Sequence, residues 1–157
     1  MAELSDSPQG QFQEALVADL KALALESLGE KWYGRRFPWM AGDEVGPIGF
    51  VCPVQERILR EGLIGLNDIR YRWIIAMIIG SNGELSEGQG TPMLWRNTVF
   101  NRYHRTTCLR TYQVTGLMGT EIEPGIPQDA GLFVNKNYDA QYLTINARFR
   151  LLPAQLP

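Results

Sequence analysis

The chain has one histidine and two cysteines in 157 residues. His104 is flanked by Arg102 and Arg105, and neighbouring positive charge disfavours its protonated form, so it is poorly placed as a general base. Cys52 and Cys108 lie far apart, with no C-x-x-C and no companion histidine at ligand spacing. That sets aside a zinc site and favours two reduced structural thiols over a disulfide. Long hydrophobic runs are also missing. The longest, "WIIAMII" from Trp73 to Ile79, falls far short of the roughly 20 residues a membrane helix needs. Neither sign of charge dominates: fifteen basic against seventeen acidic residues give a net charge of −2. Such a balance argues against a nucleic-acid or anionic-membrane binder working by bulk charge, and leaves room for a local basic patch. The opening "MAELSDSPQG" lacks the basic region and apolar run of a signal peptide, so a soluble protein made in the cytoplasm, with no membrane partner, is expected.

Catalytic motifs are scarce in the same way. "GSNGELSEGQG", residues 80–90, lacks the GK[ST] ending of a phosphate-binding loop and carries Glu84 and Glu87 where phosphate would be repelled. "GLIGLN" is not G-x-G-x-x-G, and no serine lies in G-x-S-x-G. Asp43-Glu44 and Glu121/Glu123 are carboxylate pairs by proximity alone. The second pair shares one face of a strand, where solvent or an arginine partner is the ordinary reading. No catalytic residue, cofactor site or metal site is assigned, and a small enzyme would need a site that no motif reveals.

What the chain does have is apolar material, 45% of its residues, enough for one ordinary core at this length. Phe12, Leu16, Leu20 and Leu23 follow a helical spacing, with Ser7-Pro8 as cap and first turn and Gly29 as stop, which predicts a helix over about 7–28. Short strands at "KWYGRRF" and "PIGFVCP" follow, the second bounded by prolines. "VQERILREGLIG" fits a helical turn or a hairpin arm equally. "DIRYRWIIAMIIG" alternates and then turns continuously apolar, as a central strand covered on both faces does. Beyond the glycine-rich segment 80–90, read as a mobile surface loop, Thr91-Pro92 opens a second helix through about Arg105, with Trp95, Val99 and Tyr103 as its inner stripe. "TYQVTGLMGTEIE" and the closing stretch supply two last strands. The expectation is one α+β domain over 1–157, a mostly antiparallel sheet with two main helices packed on one face, and 1–6 and 152–157 as candidate flexible ends.

The last strand, "NYDAQYLTINARFRLLP" over 137–153, has unlike faces. Leu143, Ile145, Ala147, Phe149 and Leu151 fall on one side, and Tyr142, Thr144, Asn146, Arg148 and Arg150 on the other. The first side calls for a core. The second faces plain water, a ligand, nucleic acid or another protein, and aromatic and arginine groups are favoured at contacts. Nucleic-acid recognition has its own candidates in "KWYGRR" and "WRNTVFNRYHRTTCLR", which mix arginines with aromatics. On a helix, however, Arg96, Arg102 and Arg105 splay to different sides and make a poor phosphate track.

Three segments together, "DIRYRWIIAMIIG", "LWRNTVFNRY" and "IEPGIPQDAGLFVNKNYDAQYLTINARFR", resemble the small neck and tail-completion proteins of tailed bacteriophages, in particular the tail terminator family. The likeness covers about residues 30–151 in element order and carries no catalytic signature. It implies a non-enzymatic virion protein without cofactors, made in the host cytoplasm and assembled as a hexameric ring at the head-proximal end of the tail tube. Such a ring stops tube growth, joins the tail tube protein to the head connector, and lets genomic DNA pass its lumen without sequence-specific binding. On that resemblance the polar side of the last strand becomes a candidate interface or lumen surface, and Asn82, Glu84 and Glu87 a candidate assembly loop. The alternatives are a neighbouring neck or head-completion protein and a small nucleic-acid-binding module.

Overall fold

The structure, a computed structural model, describes residues 7–35, 47–61, 67–80, 90–105, 108–123 and 139–151. The first helix, α1 (Pro8–Ala22), starts where the sequence sets it: Ser7 has extended backbone and its Oγ accepts from the Gly10 amide at 3.0 Å. Phe12, Leu16 and Leu20 form its fully buried stripe. The helix stops at Ala22, six residues short of the expected 28, with Ala24, Ser27 and Gly29 in left-handed backbone. The reason lies in helical geometry. At 100° per residue a continuing helix would carry Leu25 about 140° round from Leu20, away from the core. The irregular turn instead seats Leu25 and Leu28 in the core and leads into β1 (Trp32–Gly34).

β1 pairs in parallel with β2 (Ile48–Glu61), and every other pairing is antiparallel. The order is β1-β2-β3-β5-β4, with β3 (Asn67–Gly80) in the middle, β5 (Asp139–Leu151) beside it and β4 (Leu117–Glu123) at an edge. Two readings change here. Pro53 does not end β2, and Val54–Glu61 is a hairpin arm against β3. Pairing with β1 ends at Gly34↔Val51, so Pro53, lacking an amide hydrogen, sits where no β1 partner needs one, beside a register shift at Pro53/Gln55. Likewise "TYQVTGLMGTEIE" is strand only from Leu117: Thr111 and Tyr112 belong to a 3-10 turn, Cys108–Tyr112, followed by left-handed Gln113 and Gly116.

The second helix, α2 (Gly90–Tyr103), begins within a residue or two of the expected start and ends two residues before Arg105, which is itself left-handed. Trp95, Val99 and Tyr103 are its buried stripe. Both helices cover the same sheet face, over Val51 from β2, Ile69, Tyr71, Trp73, Ile75 and Met77 from β3, and Leu143 through Leu151 at alternate positions of β5. Phe12 lies 5.6 Å from the Trp73 ring and 6.0 Å from Phe149, while Tyr71 meets Phe149 edge-on at 5.2 Å. The Trp95 indole donates to the Glu26 carbonyl at 2.8 Å, fixing the turn after α1. The α+β architecture is therefore as the sequence predicts, a mostly antiparallel sheet with both helices on one side.

β3 is covered on both faces along only part of its length. Ala76 and Ile78 join Ile48, Phe50 and Cys52 in a smaller apolar cluster on the far face, capped by the Arg35 guanidinium 4.5 Å above the Phe50 ring. Asp68, Arg70 and Arg72 occupy the same face nearer the start of the strand. Ile75, fully buried at the centre, provides a test of the core: Ile75→Asp buries an unpaired charge at a cost on the order of 5 kcal/mol or more, comparable to the whole stability of a small domain. Loss of cooperative melting in circular dichroism is expected. A milder test is Gly49→Ala, whose new methyl would press into the Trp32 ring, and chemical denaturation should show a loss of about 1–3 kcal/mol.

Candidate functional site

The far face of the sheet collects the polar side chains. Alternation along "DIRYRW" sends Ile69, Tyr71 and Trp73 to the core and leaves Asp68, Arg70 and Arg72 opposite. β5 runs antiparallel beside them in unbroken register, so Asp68 faces Arg150, Arg70 faces Arg148, and Arg72 faces Asn146. Two networks result. Arg72 donates through Nη2 to Glu123 Oε1 at 2.7 Å and through Nε to Asn146 Oδ1 at 3.3 Å, and Asn146 Nδ2 donates to the same Glu123 oxygen at 3.0 Å. Two rows away, beyond Arg70 and Arg148, Asp68 accepts from Arg150 Nε at 2.9 Å, Arg150 Nη2 at 3.4 Å and Arg148 Nη2 at 3.3 Å.

Asp68 is nearly buried beneath two half-exposed guanidinium groups. The hydrogen bond from Arg150 holds its carboxyl below the ordinary value, against the opposing effect of burial and with help from Arg148. Of the side chains expected on this face, Thr144 is half-buried, Asn146 is buried and bonded, and Arg148 and Arg150 share Asp68. Tyr142 stands opposite Ala76 in the register, its side chain outside the described residues. Asn82, Glu84 and Glu87 also lie outside them. Asp68, Arg70 and Arg72 complete the face beside Glu123; these three were not singled out by sequence, although the i, i+2 spacing in "DIRYRW" carries the signal. Glu123 and Glu121 do find arginines, Arg72 and, at 3.7 Å, Arg105.

A second cluster lies between the helices on the other side. Asp19, only 2% exposed, accepts from Arg102 Nε at 3.0 Å and Nη2 at 2.9 Å, from the Tyr103 hydroxyl at 2.6 Å and from the Tyr112 hydroxyl at 3.1 Å. Burial alone would raise its pKa. The bonds from Arg102 and Tyr103, the Arg102 charge and the Tyr112 bond outweigh that, and the carboxyl is held below its ordinary value. With its oxygens so occupied, Asp19 ties α1 to α2 and to the 3-10 turn and is closed to a substrate.

Burial pushes the Cys52 thiol up to about 12, only partly offset by the Arg35 charge, so it stays protonated and free. His104 stacks on Phe100 at 4.8 Å, and its buried Nδ1 has no hydrogen-bond partner among the described residues. Among those residues no group of three His, Cys, Asp or Glu side chains is placed to hold a metal ion, and no helix is long and apolar enough to cross a membrane. In comparison with known proteins, no family model matches the chain and no curated protein matches it.

The Asp19 cluster predicts an acid response of definite sign. Its folded pKa lies below its unfolded one, so its stabilisation is fully present above about pH 4, the unfolded value, and is lost as pH falls through the folded value. Asp19→Asn should cost about 2–3 kcal/mol at pH 7 in urea denaturation, and the gap between variant and wild type should narrow below pH 4. A gap constant from pH 7 to pH 2 would show that the ionised carboxylate contributes nothing special.

Proposed function

We propose that the chain is a structural virion protein of a tailed bacteriophage, a tail terminator that forms a ring, hexameric in the family it resembles, at the head-proximal end of the tail tube. It ends tube growth, joins the tail to the head connector, and surrounds the DNA path. The reading rests on the resemblance of three segments, and the observation that supports it most is that they lie together: β3 and β5 pair along their whole lengths and α2 packs on β5. The helices already cover the apolar face, so the surface left for other tasks is the polar one. Its arginines at 148 and 150 have a carboxylate in their own chain, Asp68, and do not require one from a neighbour. That favours a lumen surface over a subunit interface for this face.

Sedimentation and negative-stain imaging of the purified chain test the reading, together with the length distribution of tail tubes polymerised in its presence. Closed rings and tubes of arrested length are expected. A chain that stays monomeric at every concentration and leaves tube length unchanged would overturn it. On the lumen assignment, a folded Arg148→Glu/Arg150→Glu variant still forms rings, with an assembly midpoint within about threefold of wild type, a difference of roughly 0.6 kcal/mol. Folded double variant that no longer assembles would put the face between subunits instead.

A further inference from the structure

The turn between α1 and β1 is where local preference and tertiary demand disagree. "LALESLG", residues 23–29, consists mostly of good helix formers up to its glycine. Yet Ala24 at φ +48°, Ser27 at φ +66° and Gly29 at φ +52° all have left-handed backbone. Only glycine takes that conformation freely, and a Cβ makes it unfavourable at the other two positions. Ala24 and Ser27 are exposed, so no packing of their own side chains offsets the strain. Just beyond, in β1, Trp32 is 1% exposed and its indole Nε1 has no hydrogen-bond partner among the described residues, a further cost in the same segment. Conflict between local propensity and fold concentrates at strained or functional positions.

What holds the turn comes from outside it. Leu25 and Leu28 are seated in the core, and the Trp95 indole of α2 donates to the Glu26 carbonyl at 2.8 Å. The Gly29 amide already donates to the Leu25 carbonyl at 2.7 Å, as in a helix, so one helical turn stands next to α1 and is separated from it by left-handed Ala24. β1 follows at once and is a weak anchor: three residues at the sheet edge, joined to β2 by the one parallel pairing among the described strands. A helix running on through Leu28 would carry its end about 9 Å further, while residues 29–31 span about 10 Å at full stretch. That leaves β1 little slack to keep its pairing.

We infer that residues 23–29 are a strained hinge, held shut by Trp95, which converts to helix when α2 shifts and so loosens β1 from β2. In the closed form the burial of Leu25 and Leu28 outweighs the backbone strain. A displacement of α2 that parts Trp95 from Glu26 removes one hold, α1 lengthens, and the edge of β2 over residues 49–51 loses the strand that covers it. The position of α2 is thereby coupled to the length of α1 and to the pairing of the sheet edge. The device lies within a single chain and stands or falls separately from the virion reading.

Backbone carbon chemical shifts and amide exchange of the full chain test it. Trp95→Phe keeps an aromatic ring in the core and removes the indole donor. In that variant the shifts of residues 23–28 should move towards helical values. The Gly49 and Arg35 amides, which bond to the Lys31 and Val51 carbonyls across the β1–β2 pair, should exchange about tenfold faster, as for loss of one hydrogen bond. Ala24→Gly/Ser27→Gly acts in the opposite sense, relieving the left-handed backbone and weakening the competing helix, so its melting temperature should exceed that of wild type. Added to Trp95→Phe, the two glycines should return the shifts of Leu25, Glu26 and Leu28 to their wild-type values. Gly29→Ala, whose methyl would meet no atom within 4 Å, favours the helix by backbone preference alone and decides the matter if Trp95→Phe does not fold. Wild-type shifts over 23–28 in folded Trp95→Phe or Gly29→Ala, or a double glycine variant that melts below wild type, would each overturn the proposal.

Discussion

The antiparallel pairing of β3 with β5, from Asn67↔Leu151 to Gly80↔Asp139, is the constraint on which the rest of the molecule depends. Side chains alternate strictly between the faces of a strand, so fixing the register of these two strands fixes two surfaces at once. One carries Ile69, Tyr71, Trp73 and Ile75 against Phe149, Ala147, Ile145 and Leu143, and it becomes the floor of the core. The other sets Asp68, Arg70 and Arg72 against Arg150, Arg148 and Asn146. A slip of β3 by one residue would exchange its faces, burying Asp68, Arg70 and Arg72 and exposing Tyr71 and Trp73. The hydrophobic gain on one side therefore enforces the charge arrangement on the other.

The helices are locked to that floor by a polar tie as well as by apolar stripes. Asp19 lies on α1 among its buried residues, and its two oxygens are occupied by Arg102 and Tyr103 from α2 and Tyr112 from the turn beyond. A buried carboxylate without such partners would be strongly destabilising, whereas with four donors it specifies how the elements dock. Through Trp95 and the Glu26 carbonyl, α2 also fixes the irregular turn that ends α1. Two separate contacts thus set the position of α2, one at each end of its buried stripe.

The two ends of the far face differ in what they ask of their surroundings. Around Phe50, Ala76 and Ile78 it is apolar and already buried. Towards Asp68 and Arg150 it is charged and half-exposed, with Arg148 and Arg150 sharing one carboxylate among the described residues. A subunit of a ring around DNA has a use for such a surface, and a mild overall acidity is compatible with it, because charge acts locally within about a Debye length.

The sequence by itself determined most of the elements and which residues enter the core. The α1 stripe, the α2 stripe at Trp95, Val99 and Tyr103, and the inward face of β5 all follow from periodicity, because burial of apolar side chains is a local demand written in their spacing. It also determined the start of α1, through the Ser7 cap. Only tertiary structure decided where α1 stops, since Leu25 and Leu28 leave helical geometry to reach a core that the helix alone does not define. It decided that Val54–Glu61 is strand, because an ambiguous segment takes the conformation its partner β3 offers. And it decided the partners of the charged residues, Asp19 with Arg102 and Asp68 with Arg148 and Arg150, which lie about eighty positions apart along the chain. Periodicity says which face a side chain takes, and only the packing of strands and helices says what stands across from it.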